Sequence, residues 1–243
     1  MTRTYPVNEV FGPTIQGEGH LIGSQTSFLR LAGCEFRCSF CDSMYAVDPK
    51  HPGWKHTMMS AVQIVVALPD CRLVTISGGN PALYVDRALL DALEQHRHRI
   101  AMESQGTQLG TWVTHPALIE LTVSPKPPSS CMSDRYTPDV VDALYLSVNA
   151  RLTGRRHTTL KYVYNDDADL DWIVSFDRKM PINSIYIDRY LSVCTPAKIA
   201  NNLPVLQAYL VAKIGRLLED ERFANFRILP QLHVLLWGNK RGV

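Results

Sequence analysis

The sequence lacks most of the features that would assign it at a glance. It has no strong charge of either sign, since 25 Lys+Arg stand against 23 Asp+Glu for a formal net charge of +2. That balance argues against nucleic acid as a partner, which needs basic residues gathered on one face. The one dense basic cluster, Arg151, Arg155, Arg156 and His157, is short and reads as a solvated loop. No apolar run approaches the length of a membrane span. The N-terminal residues MTRTYPVNEVFGPTIQ carry no apolar stretch of signal-peptide length. No membrane partner is therefore expected, and the expected location is the cytoplasm. Internal repeats, low-complexity tracts and Gly/Ser-rich linkers are missing too, so residues 1–243 read as a single domain.

Cysteine is sparse, with six in the chain. Thiols stay reduced in the cytoplasm, so these do not read as three disulfides. Cys71, Cys131 and Cys194 are scattered, and each is expected to be a small buried apolar residue. The other three fall together in Gly33-Cys34-Glu35-Phe36-Arg37-Cys38-Ser39-Phe40-Cys41-Asp42.

What is present is a hydrophobic fraction of 46% with 20% charged residues, enough for a substantial core in an ordinary soluble domain. Short apolar runs alternate with amphipathic segments. Residues 27–31, 72–77, 100–103, 119–123, 159–164 and 184–187 read as strands. Residues 60–68 read as a helix, with Ser60 and Gln63 at capping-box spacing and Pro69 as its stop. Residues 86–96 form another, with Ala88, Leu89, Ala92 and Leu93 on one side. Residues 167–179 and 197–221 complete the set, Pro204 breaking or starting the last. Strands alternating with helices predict an α/β fold: a mostly parallel sheet curved into a full or partial (β/α)6-type barrel, with its site at the C-terminal strand ends. The unusual residues fall there. They are the cysteine loop, Ser77-Gly78-Gly79-Asn80-Pro81, Glu103-Ser104-Gln105-Gly106 and Ser124-Pro125-Lys126.

Three thiolates spaced C-x3-C-x2-C on one loop can hold three irons of a four-iron cubane and leave the fourth open. Structural zinc is the alternative, but it normally takes four protein ligands, and the fourth would have to be distant, such as His51, His56 or Cys71. The cysteine spacing, with Phe40 before the last cysteine, resembles the radical S-adenosylmethionine (SAM) superfamily. The resemblance implies a 4Fe-4S cluster on Cys34, Cys38 and Cys41, with SAM bound at the open iron and cleaved to a 5′-deoxyadenosyl radical. Ser77-Gly78-Gly79-Asn80-Pro81 is similar to the superfamily's GGEP segment, with Asn80 in place of the usual Glu.

Several further segments resemble the 7-carboxy-7-deazaguanine synthase family of the Gram-positive type. They are Phe11-Gly12-Pro13-Thr14-Ile15-Gln16-Gly17-Glu18-Gly19, Arg30-Leu31-Ala32-Gly33-Cys34, Cys41-Asp42-Ser43, Ser124-Pro125-Lys126-Pro127-Pro128-Ser129-Ser130, and the C-terminal stretch from Leu229 to Val243. The likeness is weakest over residues 135–226. It implies ring contraction of 6-carboxy-5,6,7,8-tetrahydropterin to 7-carboxy-7-deazaguanine with loss of ammonia, SAM acting as a reusable cofactor. Ile15, Gln16, Gly17, Glu18, Arg30, Ser77, Gln231 and the Val243 carboxylate would then meet the pterin, with His233 nearby. Phe40, Cys41, Asp42, Gly79, Glu103, Ser124, Pro125 and Lys126 would meet SAM, and Ser43 would bind Mg2+. Arg30 is also open to a salt bridge inside the barrel, and Asp42 to a capping role. A flavodoxin- or ferredoxin-like electron donor and a homodimer are implied as partners. Residues 44–57, polar and rich in turn formers, read as an exposed insertion that could receive the donor. The competing readings are a glycyl-radical-enzyme activase and a non-enzymatic zinc or iron–sulfur module.

Overall fold

The computed structural model describes residues 3–180 and 185–243. In chain order the elements are β1 (Thr4–Ile15), β2 (Gln25–Leu31), α1 (Met44–Val47), β3 (Thr57–Ser60), α2 (Ala61–Ala67), β4 (Leu73–Gly78), α3 (Arg87–Gln95), β5 (Arg99–Ser104), β6 (Leu118–Val123), α4 (Pro138–Thr153), β7 (His157–Tyr164), α5 (Ala168–Asp177), β8 (Ile187–Val193), α6 (Leu203–Leu218), β9 (Arg227–Leu229) and α7 (Leu232–Trp237). The strands form one 9-stranded sheet in the order β3-β1-β2-β4-β5-β6-β7-β8-β9. From β2 through β9 neighbouring strands in this order are parallel. β1 runs antiparallel to β2 and β3. Among the described residues β3 and β9 are the edges, so the expected α/β architecture appears as an open, partial barrel.

Two kinds of side chain line the two faces of this sheet. On β6, β7 and β8 the residues Leu121, Val123, Leu160, Tyr162, Tyr164, Ile187, Leu191 and Val193 belong to the apolar core, which they share with helical residues such as Leu144, Val148, Ile173, Phe176 and Leu206. Burying each such side chain contributes about 1.5–3 kcal/mol. The alternate residues are polar: Glu120, Thr122 and Ser124 on β6 and beyond it, His157, Thr159 and Lys161 on β7, Asp188 and Ser192 on β8. A strand's period of two puts them on the opposite, inner face.

Local signals operate as their chemistry predicts. Ser60 and Gln63 form the reciprocal capping box of α2. Pro204 sits in the first turn of α6, where its missing N–H has no helical partner to lose, so it starts that helix at Leu203 instead of breaking one begun at residue 197. On α3 the buried side chains are Leu89, Leu90 and Leu93; Ala88 is exposed, so Leu90 takes the place expected for it.

Other expectations are corrected. The strand expected at residues 184–187 is Ile187–Val193; Ser184 lies outside the described residues. Its polar inner face, beginning at Asp188, hid it from a search for apolar runs. Arg151 is not in a solvated loop. It lies in the last turn of α4, fully buried, donating to the carbonyls of Val113, Leu118 and His157 and to Thr158 Oγ1. Cys71 and Cys194 are buried, whereas Cys131 is exposed and takes a left-handed backbone with φ 62°.

Candidate active site at the C-terminal strand ends

The inner face of the sheet opens, at the C-terminal ends of the parallel strands, into a cavity of about 790 Å³. The residues named from sequence converge on it. Ile15, Gln16, Gly17, Glu18, Arg30, Ser77, Gln231, His233 and Val243 line it, as do Cys34, Cys38, Phe40, Cys41, Asp42, Ser43, Gly79, Glu103, Ser124 and Lys126. Pro125 does not; its neighbours on both sides do.

The cysteine loop follows β2 directly and is held from below. Phe36 is buried and meets the Tyr136 ring edge-on at 5.9 Å between centroids. Ser39 donates through its amide to Ser130 O (3.1 Å) and through its hydroxyl to Ser129 O (2.6 Å). Ser129 is in turn fixed by the buried Asp169 carboxylate. Burial pushes the Cys34 thiol up to about 12 and raises Cys38 and Cys41 as well. Among the described residues, the groups whose ligand atoms gather within 4.8 Å, as around a single ion, do not include these three thiols. One zinc ion with bonds of about 2.3 Å would draw its sulfurs closer than that. A cubane keeps its cysteine-bound irons at separate corners, so the loop fits a cluster better than a lone ion.

The glycine segment after β4 packs against the cysteine loop. A Cβ on Gly79 would run into the Gly33 backbone, so only glycine allows this approach. Asn80 is fully buried and does not line the cavity. Its amide donates to both Glu35 carboxylate oxygens (3.0 and 3.2 Å) and accepts from Ser104 Oγ (2.9 Å). Thr107 also donates to Glu35. The Asn therefore ties the cysteine loop to the end of β5.

Glu103, at the end of β5, is bracketed by two other site residues. Gln16 Nε2 donates to one of its oxygens and Ser77 Oγ to the other, each at 3.0 Å. Arg30 makes the salt bridge foreseen for it, Nε to Glu9 Oε1 at 2.7 Å. Its two terminal nitrogens have no partner among the described residues, so the ion pair leaves them for a ligand. Tyr45 donates to the same Glu9 oxygen (3.1 Å), and Arg241 of the C-terminal tail lies over the Tyr45 ring. Asp42 does not cap α1, whose N-cap position is Ser43. It accepts the Ser43 hydroxyl at 3.0 Å, a pair of hard oxygen donors facing the cavity.

Among the site residues that sequence reasoning missed are two that act on Glu18. Lys161 and Ser192 project from the inner faces of β7 and β8 onto Glu18, at 2.7 and 2.8 Å. Burial works against the Glu18 carboxylate, but the charges of Lys161 and His233 and the hydrogen bonds from Lys161 and Ser192 outweigh it and hold its pKa at about 2. Burial likewise opposes the Lys161 ammonium, and the Glu18 charge overrides it, holding the pKa above the ordinary lysine range. The signal in the sequence was the polar alternation of HTTLKYVY and IDRYLSV, which by itself is equally the mark of a solvated face. His233 packs so closely on Gly17 that any side chain there would collide with the ring. Leu232 N donates to Gly17 O at 3.0 Å, which seats the C-terminal segment against the β1–β2 loop.

An open parallel sheet with three cysteines on the loop after its first parallel strand defines a radical SAM fold. A radical SAM methyltransferase from Sphaerobacter thermophilus shares that fold, with a TM-score of 0.50 over 84% of this chain and 65% of that one at 16% identity. QueE from Escherichia coli matches more fully, with a TM-score of 0.62 over 95% of both chains at 19% identity. In sequence, the 7-carboxy-7-deazaguanine synthase of Bacillus subtilis (strain 168) is 39% identical over 257 aligned positions, covering 100% of each chain. No family model matches the chain. The full-length identity places this chain in the 7-carboxy-7-deazaguanine synthase family.

Proposed function

We propose that this chain converts 6-carboxy-5,6,7,8-tetrahydropterin to 7-carboxy-7-deazaguanine with loss of ammonia, in 7-deazapurine biosynthesis of the queuosine type. The observation that carries this reading is that one cavity gathers the cysteine loop, the Gln16–Gly17–Glu18 turn and the C-terminal tail. When bound there together, the cluster and SAM would supply radical chemistry at substrate C6. Everything else is positioning by the chain. Cys34, Cys38 and Cys41 would hold three irons of the cluster. Gly79 admits the methionyl end of SAM to the backbone, and Phe40, Asp42, Glu103, Ser124 and Lys126 flank the nucleoside.

The pterin lies against Ile15, Gln16, Gly17 and Glu18. Glu18 stays ionised because Lys161 and Ser192 fix it, so it accepts hydrogen bonds from the pterin ring N–H groups and does not compete for their protons. The terminal nitrogens of Arg30 pair with the substrate carboxylate. Ser77 and Gln231 contact its edges, and Val243 closes the site. Ser43, beside Asp42, would hold Mg2+ through its hydroxyl oxygen, a hard donor of the kind that ion prefers. A flavodoxin- or ferredoxin-like donor reduces the cluster, docking on residues 44–57, and the enzyme works as a cytoplasmic homodimer.

The test is anaerobic turnover by the cluster-loaded protein with SAM, Mg2+, dithionite and 6-carboxytetrahydropterin, read by mass spectrometry. The expected result is 7-carboxy-7-deazaguanine over many turnovers without matching 5′-deoxyadenosine. SAM cleavage with no deazaguanine would retain the radical chemistry and overturn the substrate.

A further inference from the structure

The inner faces of β6, β7 and β8 carry Glu120, His157 and Asp188 at the rim opposite the cavity. There the ring of His20, from the β1–β2 loop, stacks on His157 with centroids 3.7 Å apart. His20 Nδ1 lies 2.9 Å and His157 Nε2 lies 3.2 Å from one oxygen, Oδ2 of Asp188. On its other side His157 Nδ1 is 2.6 Å from Glu120 Oε2. Glu120 is only 2% exposed, and its second oxygen, Oε1, is buried without a hydrogen-bond partner. Ligand atoms of His20, Glu120 and His157 all lie within 4.8 Å of one another.

Imidazole nitrogens with carboxylate oxygen form the donor set of a borderline first-row divalent ion, zinc foremost; magnesium and calcium prefer oxygen throughout. A carboxylate on the far nitrogen of a histidine is the arrangement that orients a ligating imidazole. We propose that His20, His157 and Asp188, with Glu120 orienting His157 through Nδ1, form a zinc-class cation site on the rim opposite the active site. The ion would join the β1–β2 loop to three strands. That loop is closed on itself by Gln16 N to Ser24 O and Gly23 N to Gln16 O, both 2.8 Å, and it carries Glu18 two residues before His20. Binding on one rim would thus stiffen a turn that lines the cavity on the other.

Arg227 opposes the ion. Its Nη1 lies 2.6 Å from the same Asp188 oxygen, and its positive charge repels a divalent cation. At 58% side-chain exposure it can be removed without opening the core.

The test uses the full-length, cluster-loaded protein under argon, so that the three cysteines are occupied. Zinc chloride is titrated calorimetrically, and the ligands are read by zinc K-edge X-ray absorption. The expected result is one zinc ion per chain with nitrogen and oxygen ligands and imidazole scattering. His20→Ala should weaken binding at least about tenfold, and Arg227→Ala should tighten it. Sulfur scattering, no one-to-one binding, or unchanged affinity in His20→Ala would overturn the proposal. Should His20→Ala fail to fold, Arg227→Ala decides alone: tighter zinc supports the site, and unchanged or weaker zinc removes it.

Discussion

The same three strands end in two different kinds of chemistry. At their C-terminal ends, polar groups converge on a cavity of about 790 Å³, where bonding capacity is kept in reserve, as by the terminal nitrogens of Arg30 on β2. At their N-terminal ends, Glu120 Oε1 apart, polar groups close on one another. There Arg151 donates to three backbone carbonyls and a threonine hydroxyl while fully buried. The contrast separates polar residues that build a site from polar residues that hold a fold, although both come from positions that avoid the apolar core. Burial alone does not distinguish them. What does is whether each donor and acceptor is already matched within the chain.

Substitutions at the two ends should therefore fail differently. The largest effect is expected at the cysteine loop: Cys38→Ala should abolish the cluster's visible absorbance and turnover together. Cluster retention by that variant would place the ligand elsewhere. Glu18→Gln belongs to both categories, since Glu18 lines the site and neutralises a buried lysine. It should cost about 3–5 kcal/mol in urea unfolding, the price of leaving Lys161 as an uncompensated buried charge. Glu18→Gln with Lys161→Met should recover most of that loss and none of the turnover.

The same pair sets a pH dependence. Glu18 titrates at about 2 in the folded protein against an ordinary 4.5. Its contribution is complete above 4.5 and is lost as pH falls from there toward 2. Lys161 is shifted the other way, upward from 10.5, so its contribution is complete below that value and is lost only as pH rises through the higher folded pKa. The urea midpoint of the wild type should therefore fall more steeply across the acid window than that of Glu18→Gln. Parallel acid limbs would show that the pair contributes little.

Arg151→Met should cost about 2–3 kcal/mol, because the carbonyls it serves lose a donor while a buried charge is relieved. Turnover per folded molecule should be unchanged. Ser60→Ala, which removes the capping box of α2 far from the cavity, should cost only about 1 kcal/mol, again with unaltered turnover. A fall in turnover in either variant would blur the division between the two ends.

How much of this was readable in the sequence follows the same division. The cysteine loop, Gly78-Gly79 and Gln16-Gly17-Glu18 were legible because their chemistry needs fixed residues at short spacing. Lys161 was not: it meets Glu18 across 143 positions, and only strand register brings them together. Ser192 and His20 escaped for the same reason. Arg151 was misread because charge in the sequence suggests solvent, whereas the fold gave the guanidinium enough carbonyls to be buried. The alternation of strands and helices was visible, but β8 was set several residues early because its inner residues are polar. β1, β3, β9 and the helices α1, α4 and α7 were not foreseen; the edge strands β3 and β9 are too short to show a pattern, and the run of β1, an interior strand, is interrupted by Gly12-Pro13.

The sheet's open ends bear on how the protein behaves in a crowded solution. An unpaired strand exposes a row of amides and carbonyls that another chain can extend, which is the first step of fibril growth. Here the long strands are interior, and the two edges are the shortest, β3 with 4 residues and β9 with 3. So little free backbone is a poor template, and β9 begins with the charged Arg227. An arc that never closes into a barrel can thus remain dispersed at high concentration, and lengthening either edge strand would be the surest way to make it polymerise.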